Sequence, residues 1–145
     1  MSEFPDADYP DFEKVVGVLL RPLVAKDSHI GNHLVIEFDQ VVEAIGQLDT
    51  PFITIRKRGG PIDGDDFTAY PNIEVSCWGK SRQVVVAAEA KVVRLILQSA
   101  GEEVDGALID SAEDITGGEE SVLENPDDRC IIRMFRLGFR PQYQD

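Results

Sequence analysis

At 145 residues the chain is long enough to form one domain with its own core. A hydrophobic content of 43% and a mean hydropathy of −0.15 exclude a chain too polar to fold. The 27 acidic residues against 14 basic ones leave a net charge of −13. That charge opposes general binding to a phosphate backbone or an anionic bilayer.

The N-terminal stretch MSEFPDADY is acidic and lacks the basic region of a secretory signal, so residues 1–9 read as a polar leader that wraps on a neighbour or stays loose. Helix one follows. Pro10 precedes it, Asp11 and Glu13 lie in its first turn where the helix dipole favours acids, and Phe12, Val15, Val16, Leu19 and Leu23 form one apolar stripe. Pro22 ends or kinks it because it offers no backbone donor. The apolar run from Val15 to Leu20 stops at Arg21, well short of the ~20 residues that cross a bilayer.

Leu34, Ile36 and Phe38 alternate as one strand face, and Asp39 caps a short helix from Gln40 to Gly46. The segment TPFITIRKRGG places Ile53 and Ile55 on one strand face and Thr54, Arg56 and Arg58 on the other. A second strand ends in CWG, with Ile73, Val75 and Cys77 opposite Glu74, Ser76 and Trp78. Such alternation marks antiparallel strands with one face buried. The intervening residues 59–70, rich in Gly and Asp, are too long for a tight hairpin and read as a protruding, flexible arm.

Ser81 caps a second helix reaching about Ser99, with Val85, Ala88, Val92 and Leu95 inward and Gln83, Lys91, Arg94 and Gln98 outward. Gly101 stops it, and Ala107 to Ile109 make a short strand. Residues 113–128 read as an acidic insertion, and Arg129 to Arg140 as a final strand apolar on both faces, hence central or covered by a partner. The sum is a single α+β domain over residues 1–145: a mostly antiparallel sheet of about four to five strands, with two main helices on one face.

No reacting constellation emerges. Asp63, Asp65 and Asp66 lack the EF-hand ligand spacing and read as turn formers. Gly59-Gly60 fits neither a Walker nor a dinucleotide pattern. His29 and His33 flank Gly31 without a completing Glu or Cys, and Ser28 beside His29 is adjacency rather than a triad. Cys77 and Cys130, each isolated in a strand, read as buried small hydrophobes, consistent with a reducing cytoplasm. The expectation is no catalytic group, no metal and no cofactor.

Charge segregation is the more useful pattern. Arg56, Lys57 and Arg58 cluster at one strand end, and Arg129, Arg133, Arg136 and Arg140 line the last strand. Acids fill the leader, the Asp63–Asp66 loop and the insertion. A basic edge meeting an acidic loop of the next copy makes a head-to-tail contact, which closes into a ring when the rotation permits. The candidate intersubunit or tube contacts are therefore Arg56, Lys57, Arg58, Asp63, Asp65, Asp66, Arg133 and Arg136.

The order helix, strand, TPFITIRKRGG, a strand ending in CWG, an Ala/Val-rich helix, GALIDSA and a closing FRLGFRP strand resembles the tail terminator proteins of long-tailed bacteriophages. It covers most of the chain from Asp11 to Pro141; the leader and the insertion are less typical. The resemblance implies a virion protein of the tail and neck, present in host cytoplasm during assembly. It implies a ring, a hexamer in that family, that caps the tail tube, stops its polymerisation and joins it to the head-side connector. Its partners are further copies of itself, the major tail tube protein and the head-tail connector protein, with genomic DNA passing the lumen without specific binding and no membrane involved. The rival readings are another neck or head-completion protein, a small ligand-binding domain or hydrolase with a concave pocket, and an acidic adaptor for a basic host protein.

Overall fold

The computed structural model describes residues 7–23, 29–30, 52–64, 67–79, 81–117, 119–121 and 129–143. In chain order the elements are β1 (Ala7–Asp8), α1 (Phe12–Leu20) with a 3-10 turn over Arg21–Leu23, β2 (His29–Ile30), β3 (Phe52–Lys57), β4 (Asn72–Gly79), α2 (Arg82–Gln98), β5 (Glu103–Val104), β6 (Ala107–Asp114), β7 (Glu119–Ser121), β8 (Arg129–Phe139) and β9 (Gln142–Tyr143). The main sheet runs β2-β3-β4-β8-β6-β5, and β7 pairs β8 beyond β6. All its pairings are antiparallel except β2 with β3. The two described helices lie on one face, α2 over β4, β8 and β6, and α1 beside it over β3. The fold is α+β, as the patterning predicts. The expected strand at Leu34, Ile36 and Phe38, the helix from Gln40 to Gly46, and His33, Asp65 and Asp66 lie outside the described residues.

Local chemistry explains the helix ends. The Asp11 side chain accepts the Lys14 amide at 3.3 Å, and Arg21 begins the 3-10 turn that holds Pro22. Ser81 Oγ accepts the Val84 amide at 3.3 Å, and Ser99 closes the other end. The inward stripe of α2 is Val85, Ala88, Val92 and Ile96, all buried. Leu95, expected on that stripe, packs at its flank, because four residues rather than three past Val92 bring a side chain back into line.

The core lies between these helices and one sheet face. Val15, Val16 and Leu20 of α1 meet Ile53, Ile55, Ile73, Val75 and the β8 residues Phe135, Leu137 and Phe139. Phe12 packs on Phe139 with ring centroids 4.9 Å apart. β8 is central, with β4 on one edge and β6 and β7 on the other, which accounts for its apolar run.

The described residues add detail to three of these expectations. Ala107 begins an eight-residue strand, not a three-residue one, so the stretch 113–128 starts inside the sheet: Glu113 pairs with Arg136 and Asp114 with Phe135, and residues 119–121 pair with β8 as β7. Between Asp114 and Glu119 the chain advances five residues while β8 advances three, from Phe135 to Ile132. The excess is a bulge, held where Asp114 accepts the Gly117 amide at 3.1 Å and Thr116 Oγ1 accepts the Met134 amide at 3.3 Å. Turn residues inside a continuing ladder therefore look like an insertion.

The segment 59–70 is tied rather than loose. Ile62 bridges Ala69, Tyr70 donates to Pro61, and Ala69 exchanges both backbone bonds with Phe139. The close approach needs glycine: a Cβ on Gly60, at φ +122°, would lie 2.6 Å from Pro71 Cα. The end of the leader is likewise committed to its own chain. Ala7 pairs with Tyr143 and Asp8 with Gln142, while Tyr9 packs 6.4 Å from Phe12 and its hydroxyl donates to the Phe67 carbonyl.

Candidate interaction surface

Strand alternation sorts the arginines onto two different faces. Odd-numbered residues of β3, β4 and β8 point at the helices and even-numbered ones point away. Arg133 is odd. It stands on the helix face, with only 18% of its side chain exposed. Its Nη2 donates to Glu89 of α2 at 3.1 Å and its Nη1 to Asp114 of β6. Arg133 therefore joins α2 to the far edge of the sheet within one subunit.

Arg56 and Arg136 are even and lie on the opposite face, which no described helix covers. Arg56 is opposite Glu74 in the β3–β4 register, and Glu74 is opposite Met134 of β8. The Glu74 carboxylate bonds Arg58 Nε at 3.3 Å. One residue level over, Asn72 is opposite Arg136, which is opposite Glu113. Arg136 Nε donates to Asn72 Oδ1 at 3.1 Å. Read across the sheet, this level begins with the Arg58 cation beside β3, passes Asn72 and Arg136, and ends in the Glu113 carboxylate on β6.

Lys57 points to the other face, where its Nζ lies 5.5 Å from the Phe12 ring centroid. Its backbone amide, on the outer edge of β3, donates to Glu13 of α1 at 2.7 Å. That bond caps an edge donor that another strand could otherwise engage. Asp63 sits at the turn of the 59–70 hairpin, donating its amide to Thr68 and accepting the Phe67 amide.

Of the sequence-derived candidates, the fold gathers Arg56, Arg58 and Arg136 on one surface. It places Lys57 beside α1 and Asp63 at the hairpin turn, and sends Arg133 inward. Sequence reasoning missed Asn72, Glu74 and Glu113 as their neighbours. The outward position of Glu74 was readable from alternation, but its pairing with β3 depends on register.

The two cysteines fall on opposite faces and both are buried. Burial pushes the Cys77 thiol far up, and the nearby Glu89 carboxylate adds to the shift. Burial also pushes Cys130 up to about 12, with Glu74 reinforcing it. Neither is a thiolate near neutral pH. Among the described residues no group of three His, Cys, Asp or Glu side chains is placed to hold a metal, and no helix is long and apolar enough to cross a membrane. What the described surface presents is charge arranged by strand register.

A family model described as phage tail termination protein matches residues 8–145. A solved chain from the "Virion of native gene transfer agent (GTA) particle" shares the fold with a TM-score of 0.62 and 15% identity, over 88% of this chain and 93% of that one. No curated protein sequence matches.

Proposed function

The chain belongs to the phage tail termination protein family, structural components of the virion tail, and from that premise we propose that it forms a ring capping the tail tube. The ring stops tube polymerisation and joins the tube to the head-side connector. The observation that carries this reading is the family match across residues 8–145, nearly the whole domain. The surface is compatible with it. Charged side chains stand in register on a sheet face that no described helix covers, where such an array can meet another protein. The net charge of −13 suits a lumen through which DNA slides, because an acidic wall repels phosphate.

In this reading Arg56 and Arg58 contact a neighbouring copy, and the hairpin carrying Asp63 reaches a neighbour or the tube protein. Arg133 keeps the subunit in shape. The test is to add the purified chain to polymerising tail tube protein and measure tube lengths by electron microscopy. The expected result is short tubes with a density cap at one end. Unchanged lengths at saturating concentration would reject the capping role.

A further inference from the structure

We propose that copies of this chain meet head to tail through opposite sides of the sheet, with the part of β3 beyond its short pairing with β2, carrying Arg56, against the part of β6 beyond its short pairing with β5, carrying Glu113, of the next copy. This rests on the ring reading above and adds the contact that builds it.

The two edges are marked with opposite charge. On the β3 side Arg56, Lys57 and Arg58 are consecutive and exposed. Arg58 is engaged by Glu74, whereas Arg56 has no ion-pair partner among the described residues. On the β6 side Asp110, Glu113 and Asp114 are exposed. Asp110 bonds Arg140 at 3.3 Å and Asp114 bonds Arg133, which leaves Glu113 without an ion-pair partner among the described residues. Past the short β5, no described strand pairs with β6 on its outer side.

Position supports the match. Arg56 and Glu113 project from the same face, which no described helix covers, one residue level apart, each beyond the stretch of its strand that β2 or β5 pairs. A second copy set edge to edge brings the unpaired cation of one to the unpaired carboxylate of the other, with both helix layers on the far side.

Charge also selects the symmetry. Two β3 edges facing each other set arginine and lysine against their like, and two β6 edges set carboxylate against carboxylate. An isologous pairing through either edge is disfavoured, and the unlike, heterologous pairing is favoured. Repeated, the heterologous contact closes into a ring when the rotation between copies permits.

The test uses two charge reversals, Arg56→Glu and Glu113→Arg, with circular dichroism confirming that each folds. The wild-type chain is first followed by sedimentation velocity, alone and with tail tube protein. Each reversed variant makes both edges alike, so alone it requires roughly tenfold or more protein to assemble. Mixed in equal amounts, the two variants recover rings, because every contact then again joins unlike charges. The neutral variants Arg56→Gln and Glu113→Gln lie between, which covers the case where a reversal unfolds the chain. Wild-type rings with reversed variants that assemble normally, or that fail to complement each other, would overturn the edge contact and leave the ring standing. A wild-type chain that never assembles would overturn both.

Discussion

The two faces of the sheet use the same residue types for opposite ends. Under the helices Arg133 is enclosed, held by Glu89 and Asp114 and surrounded by Val75, Phe135 and their neighbours. On the face that no described helix covers, Arg56, Arg58, Glu74, Arg136 and Glu113 remain at least partly open to solvent. An ion pair taken from water must be well made, since a broken one leaves an uncompensated charge. A solvated pair adds little to the fold and stays available to a partner. The difference teaches that arginine content says little about an interface until strand parity assigns each arginine to a face.

The comparison is broken most severely by removing packing on the covered face. Phe139→Ala deletes a fully buried ring packed at a tilt on Phe12, at a strand end tied to Ala69. The expected loss is about 3–5 kcal/mol in denaturant unfolding. Arg133→Ala comes next, at about 2 kcal/mol, because Glu89 and Asp114 remain partly buried without their cation. The double variant Glu89→Ala with Arg133→Ala should lose less than the sum of the singles.

The buried thiols sharpen the comparison through pH. Both have folded-state values raised above the ordinary 9.0, so the folded chain holds these protons more tightly than the unfolded one. Their contribution to stability is complete below about pH 9 and is lost as pH rises toward 12 and beyond. At pH 8 a thiol reagent should react only as fast as the chain opens, and equally at both positions. Rapid labelling of one cysteine in the folded protein would contradict its burial. The smallest effect on folding belongs to the open face. Arg58→Glu, placed beside Glu74, should shift unfolding by about 0.5 kcal/mol while weakening assembly. A large loss of stability would move Arg58 to the structural class.

Most of the described fold was legible in the sequence. Asp11 and Ser81 announce the helix starts, Pro22 the first helix end, and the alternation of Ile53, Ile55, Ile73, Val75 and Cys77 the covered face. The errors came where chain-local cues compete with long-range pairing. The Gly and Asp residues of 59–70 signal a loose loop, yet Phe139, distant in sequence, laces that segment into a hairpin. Gly117 and its acidic neighbours look like an insertion because a bulge uses the same residues as a turn. The surface was half legible. The basic cluster was evident, but the sequence grouped Arg133 with Arg136 although they point to opposite faces. Glu113 gained its place only once β6 was aligned with β8.

The central claim, that an open charged surface on a rigid sheet builds a ring, is tested most directly by negative-stain imaging of the purified chain, alone and with tail tube protein. The account predicts closed rings with a central hole wide enough for duplex DNA. Single subunits under both conditions, at every concentration reached, would contradict it.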